Sequence, residues 1–368
     1  MAVRHVGLVG ALTSPGAHRA LLRHGTRTSV PAMLDAADQQ AREVDVPGRA
    51  AAYGFAWEPD DVDTELWYPQ GITTSADADA GTTPGGTGGR DVVVVSWYAH
   101  HDARRNGSRL TFVDLATLRY RHVLLVRPRR MPWGVRAHPL PIHAGGIAWY
   151  GPYLYVAATR AGIYLVRIDD LLRLDPDARR GPSERLGYDL VLPVFARLRA
   201  WSRDDGSRLR YSFLSVEHGS PADGDPASLV VGEYGGVGKT QRLWRFPLDP
   251  RTHLPVRDEH TGRVTPAELH ADVSPRMQGA TALDGTWYLT TSQGRGNNGD
   301  LLVGRPGAFR RHKKVLPTGC EDIAAWPQQR RLWSVTEWPG MRWVYAVDAD
   351  AWEGPAEVAG DGLDTPLA

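Results

Sequence analysis

Apolar and polar positions alternate in short runs along most of the chain, and Gly, Pro, Asn and Asp bound the runs. A period of two is the strand pattern, and turn residues at this spacing mark all-β proteins. Ten strands read out in this way, over residues 92–97, 109–114, 122–126, 154–158, 163–168, 229–232, 242–246, 287–291, 332–336 and 343–347. Helical periodicity is confined to residues 29–44, where Ser29 is placed to cap a helix that turns Met33, Leu34, Ala37 and Ala41 to one side. The residues before it read as a polar arm that frays. Within that arm, residues 6–12 are apolar and follow Arg4. They are short for a secretory leader, and Ser14-Pro15-Gly16 makes a poor cleavage region. A cytoplasmic location is therefore expected, or a secreted one if that stretch serves as a leader. Residues 75–90 are of low complexity and read as a hairpin tip.

An internal repeat gives the architecture. Four segments begin with a polar residue, a small one and an aliphatic one, then turn into a second strand that ends in Thr or Ser. They start at Tyr68-Pro-Gln-Gly-Ile, His143-Ala-Gly-Gly-Ile, Arg276-Met-Gln-Gly-Ala and Gly319-Cys-Glu-Asp-Ile, and a weaker copy starts at Tyr211-Ser-Phe-Leu. Repeats that are each a small antiparallel meander are the sequence sign of a β-propeller. The expected fold is an all-β, five-bladed propeller over residues 46–368, behind a short helical and irregular arm over 1–45. Residues 1–66 leave room for a sixth blade, or residues 49–57 close the ring as an outer strand.

Composition narrows the function classes. The 368 residues carry 43 Lys and Arg against 42 Asp and Glu, a net charge of +1. This balance makes no case for nucleic acid or an anionic membrane, either of which needs a concentrated basic surface. Nearly all the positive charge is arginine, the lysines being Lys239, Lys313 and Lys314. No run of 18 apolar residues is present, so no helical membrane span is expected. One cysteine, Cys320, excludes an internal disulfide and a cysteine-rich zinc site, and reads as a small buried hydrophobe. Two glycine-rich segments imitate nucleotide motifs. Glu233 stands where a phosphate loop ending at Lys239 needs glycine, and the segment after Gly294 runs into a strand instead of a helix. Asn106-Gly107-Ser108 fits a glycosylation sequon but reads as a hairpin turn.

In such a meander, the start of the first strand and the end of the second lie on one face of the ring. The leading polar residues Gln70, His143, Ser212, Gln278 and Glu321 are therefore expected at one mouth of the channel. Around them come Tyr68, Trp97, Tyr98, His100, His101, Arg160, Glu233, Tyr234, Gln293, Arg295, Glu337 and Trp338. A polar centre with an aromatic rim is the default ligand site; the plainer reading is that these groups bond one another and trapped water. His143 and Glu321 are the expected general acid and base. Strand alternation lets only one of Glu321 and Asp322 face the channel, and the repeat alignment selects Glu321. Set against Glu233 or Glu337, Glu321 would form a carboxyl pair with one pKa pushed up. The competing reading has His143, Gln278, Glu321 and Glu233 around calcium or magnesium. Amides and an imidazole are weak ligands for a hard cation, so no cofactor is expected.

The motifs Trp67-Tyr-Pro-Gln-Gly-Ile-Thr-Thr-Ser75, His143-Ala-Gly-Gly-Ile-Ala-Trp149 and Leu332-Trp-Ser-Val-Thr-Glu337 resemble those of actinobacterial β-propeller proteins, often secreted. The resemblance covers about residues 64–350. It implies fold and source, and carries over no catalytic residue. The ring of carboxylates and amides is similar in idea to gluconolactonase-type propellers, which hold a metal at the mouth. This chain lacks their Asn/Asp ligand set and their sixth blade. The function expected from the residues is a non-redox enzyme, a hydrolase, lyase or isomerase/cyclase, acting on a small polar or natural-product-like molecule. The alternative is a binding module for a carbohydrate or protein partner.

Overall fold

The computed structural model describes residues 6–76, 78, 86–175, 186–203, 209–219 and 226–352. Its strands pair into five four-stranded antiparallel meanders, the blades of a β-propeller. Blade I runs Trp67–Thr74, Val92–Ala99, Ser108–Asp114, Arg119–Met131, and blade II runs Ile147–Tyr150, Tyr153–Ala157, Ile163–Arg167, Leu190–Ser202. Blade III is Phe213–Glu217, Ser228–Gly232, Leu243–Pro247, Glu268–His270, and blade IV is Met277–Leu283, Thr286–Thr291, Asn298–Arg305, Ala308–Thr318. Blade V takes Cys320–Trp326, Arg331–Thr336 and Trp343–Asp348 from late in the chain, and its outer strand Tyr53–Ala56 from early in it. All ten expected strands are present, and residues 49–57 do supply the strand that closes the ring.

The core is divided into wedges between neighbouring blades. Val94, Leu110, Ile147 and Trp149 fill the gap between I and II, and Leu214, Val231, Tyr155 and Leu165 the gap between II and III. Phe213, Leu243, Ala280 and Leu302 lie between III and IV, Leu301, Tyr288, Ile323 and Leu332 between IV and V, and Phe55, Trp333, Ile72 and Trp97 between V and I. Each blade is thus buried on both faces, which is why its strands are rich in Val, Leu and aromatics.

The five first strands touch in the order I, II, III, IV, V and back to I. They approach closely enough to need glycine. A Cβ on Gly146 would stand 2.4 Å from the Leu214 nitrogen, and one on Gly279 would stand 2.5 Å from the Ile323 nitrogen. The Ser and Thr of the repeat tie blade to blade. Ser96 Oγ donates to the Ala144 carbonyl (2.7 Å) and accepts from the Gly71 amide (3.0 Å), while Thr290 Oγ1 donates to the Glu321 carbonyl (2.6 Å).

The N-terminal part differs from expectation. Val6–Leu12 is a strand lying antiparallel on Leu190–Ser202, and Pro15–His24 is a helix packed on the outer strands of blades I and II. The helix expected over residues 29–44 is only Val30–Asp35, capped as expected by Ser29, whose side chain accepts from the Ala32 amide. Beyond it Gln39–Gln40 pairs with blade I and Arg42–Glu43 with the closing strand. Met33, Leu34, Ala37 and Ala41 are buried all the same. Much of the expected hairpin tip at 75–90 lies outside the described residues.

Candidate functional site

At the mouth formed by the starts of the first strands, four side chains make one chain of hydrogen bonds. Gln278 Nε2 donates to Glu321 Oε1 at 3.1 Å, and Gln70 Nε2 donates to Glu337 Oε2 at 2.9 Å. The Glu321 and Glu337 carboxyls bond to each other. Two carboxyls can share a hydrogen bond only if one keeps its proton. Burial raises the Glu321 pKa well above the usual carboxylate range, and the Glu337 and Asp322 charges raise it further. Burial also raises Glu337, against hydrogen bonds from Gln70 and Glu321 and the charge of Arg342. Glu321 is buried and Glu337 half-buried, so Glu337 is the member of the pair that meets solvent.

Aromatic groups border this pair. The Tyr98 ring stacks on His143 with centroids 4.3 Å apart, and Tyr68 packs on His100 at 4.7 Å. Trp338 meets the Tyr68 edge and lies under Arg295, 5.7 Å from its guanidinium. His143 stands exposed at the rim, and the protein around its ring lowers its pKa, so it is neutral at pH 7. Arg342 is fully buried behind Tyr68, where burial lowers its pKa to about 10. It donates to the carbonyls of Asp61, Val62 and Thr64 and, through Nε, to that of Glu337 at 2.8 Å. Arg342 therefore fixes the backbone on which Glu337 is carried.

Several expected site residues lie elsewhere or do other work. Trp97 points into the wedge between blades V and I, where the Arg109 guanidinium covers its ring. Glu233 is buried and held by Arg242 at 2.8 and 2.7 Å, so Glu337, not Glu233, is the partner of Glu321. Gln293 bonds Asp300 at 2.9 Å and accepts from Arg276. Arg160 and Tyr234 are exposed, and His101 bonds only its neighbour His100 among mouth residues. Of the residues expected around a cation, Glu233 is held by Arg242, and Glu321 accepts from Gln278. Among the described residues no three His, Cys, Asp or Glu side chains are grouped as a metal needs. Cys320 is buried between blades IV and V, and burial pushes its thiol pKa up, so it is the expected small hydrophobe.

Asp322 was expected to turn away from the channel, and the structure corrects this. The pairing of Cys320–Trp326 with its neighbour slips between Cys320 and Ile323, a bulge that sets two residues against one. Both Glu321 and Asp322 therefore turn inward. The fully buried Asp322 carboxyl accepts from the amide of Ile72 (3.4 Å), and burial raises its pKa. The other repeats carry Gly71, Gly146 and Gly279 at its place, so the odd aspartate was visible in the alignment. Arg342 gave no such sign, because it belongs to no repeat.

A cavity of about 450 Å³ opens at the opposite end of the first strands, lined by Ser75, Arg90, Asp91, His218, Trp326 and Gln329. It holds no pair of carboxyls.

Fold and mouth together define a β-propeller with two neighbouring carboxyls, Glu321 and Glu337, at one end of its ring. No protein-family model and no curated protein matches the chain. Among solved structures it is similar to the PQQ-bound aldose sugar dehydrogenase of Streptomyces coelicolor, with 12% identity over 84% of this chain and 99% of that one and a TM-score of 0.34. It is similar too to a GH43_1 enzyme from Xanthomonas citri complexed with xylotriose, at 13% identity, 90% and 92% coverage and a TM-score of 0.36. A mutant of B. subtilis levansucrase shares 10% identity over 88% of each chain, with a TM-score of 0.39. At these scores the likenesses carry no argument. The strand pairing defines the fold.

Proposed function

We propose that the protein is a non-redox enzyme, a hydrolase, lyase or isomerase/cyclase, acting on a small polar molecule at the mouth by general acid/base chemistry. The observation that supports it is the pairing of Glu321 and Glu337, each bonded by a glutamine amide and each with its pKa raised by burial, one member open to solvent and the other buried behind it. In this reading the shared proton rests on Glu321 while Glu337 is charged, passes to Glu337 and from there to a substrate heteroatom, and the pair is reloaded through solvent with the proton that His143 takes up. Neutral His143 takes a proton from water or from the substrate, and the Tyr98, Tyr68 and Trp338 rings supply the apolar walls. The arginine bias and the motif resemblance support an actinobacterial source within the same proposal.

A panel of lactones, glycosides and polycyclic metabolites tests this reading. On any substrate turned over, the rate should follow a bell in pH, and Glu337→Gln should lower kcat by about 10²–10⁴-fold. Full activity in both Glu337→Gln and Glu321→Gln would remove the pair from the chemistry. One observation favours the binding-module reading instead: a cavity of about 450 Å³ opens at the far end, with Trp326, Gln329 and Asp91 but no acid pair. Saturable binding of a saccharide that is lost in Trp326→Ala, with no turnover of the panel, would select it.

A further inference from the structure

The outer strand of blade I runs past its neighbours and turns back as Gly134–Pro139, forming a projecting hairpin. In its register Arg127 faces His138 and Arg129 faces Arg136. Residues directly opposite share a face, and like charges so placed repel. Among the described residues, no carboxylate is paired with Arg127, Arg129 or Arg130, all of them exposed. His138 feels this field: burial and then Arg129, Arg136 and Arg127 hold its pKa below the ordinary value. The turn is Pro132-Trp133, and Trp133 is 76% exposed. The other face is anchored, with Val126, Val135 and Ala137 packed on Ala17, Ala20 and Leu21 of the Pro15–His24 helix. The hairpin is thus a fixed support that carries an indole at its tip and the exposed cations Arg127, Arg129 and Arg130 along its first strand.

We propose that this hairpin docks on an anionic lipid bilayer. The order of chemistry along it favours a bilayer over a nucleic acid. Trp133 leads, and Arg129 and then Arg127 follow along the first strand, Arg129 two residues or about 7 Å behind its end at Met131. An apolar tip that enters the interface by about 5–10 Å brings those guanidiniums to the level of the lipid phosphates. Stacking on bases uses several rings in series along a groove, whereas Trp133 stands alone at its tip. The net charge of +1 hides this patch because it averages over the chain. The inference is independent of any chemistry at the mouth.

Sedimentation of the full chain with vesicles tests the proposal, using phosphatidylcholine alone and phosphatidylcholine with phosphatidylserine. The protein should pellet with the serine-containing vesicles and be released by added salt. The double variant Arg127→Glu/Arg129→Glu should lower the partition at least about tenfold. Trp133→Ala should also weaken it while leaving the salt dependence in place. All three positions lie on the projecting hairpin, and unchanged thermal melting would show that the variants fold. Three results would overturn the proposal: no pelleting, pelleting that the charge variant matches, or binding to a single-stranded RNA homopolymer with none to vesicles.

Discussion

Glu321 holds a proton that an exposed glutamate would lose. Its folded pKa lies above the ordinary 4.5, so the stability it contributes is full below that value and is lost as pH rises through the folded pKa. Glu321→Gln mimics the protonated form at every pH. The variant should melt close to wild type at pH 4 to 5 and higher than wild type in alkaline buffer, and parallel melting curves across pH would refute the assignment. A second buried network works in the opposite sense. Asp61 accepts from Arg109 (2.6 Å), Tyr120 (2.7 Å) and His122 (3.0 Å). Burial alone would raise the Asp61 carboxyl, but the bonds and charges from His122, Arg109 and Tyr120 carry it below the usual range. Burial and the charge of Arg109 push His122 down to about 4, so the stability tied to its neutral ring is lost as pH falls from 6.5 through that value. Asp61→Ala should cost about 3–5 kcal/mol in urea denaturation, because it strands a buried Arg109. A loss below about 1 kcal/mol would show that the cluster relaxes around the gap.

Strands were legible in the sequence because their apolar residues recur at a period of two and turn residues end them. The repeat also located the mouth, since Gln70, Gln278 and Glu321 occupy one position in three copies. What escaped depended on contacts between distant elements. The helical pattern of residues 29–44 and the burial of Ala37 and Ala41 are both real, but pairing of Gln39–Gln40 with Tyr120 and Arg119 ends the helix early. Alternation assigned Asp322 to the wrong side because a bulge breaks the period. It could not tell Glu337 from Glu233 either, since the choice rests on where Arg242 lies. The Ser and Thr that end the second strands were seen as a pattern, and the structure gives their reason as ties between blades. Ser96→Ala would leave the Ala144 carbonyl and the Gly71 amide without their partner, at about 1–3 kcal/mol for each buried group. Gly146→Ala should cost at least about 1–3 kcal/mol, because its methyl meets the Leu214 backbone and the first strands must part. Thermal melting of the two variants checks both values; a neutral Gly146→Ala would mean that the ring is looser than its geometry states.

Burial in wedges makes each blade depend on two neighbours, so no blade has a core of its own. The ring is therefore expected to unfold as one cooperative unit, and probes in different blades should share one urea midpoint. Distinct midpoints for Trp149 and Trp333 environments would contradict this. Closure rests on the pairing of Tyr53–Ala56 with Trp343–Asp348, register Trp343 to Ala56. That pairing also dictates how the protein can be made. A chain leaving the ribosome from its first residue exposes Tyr53–Ala56 long before its partner strand has been translated. Phe55 and the edge beside it must stay in reach of water, or of a chaperone, until Trp343–Asp348 has emerged. Nascent chains halted before Trp343 should thus remain open to protease, and release of Trp343–Asp348 should be the event that seals them.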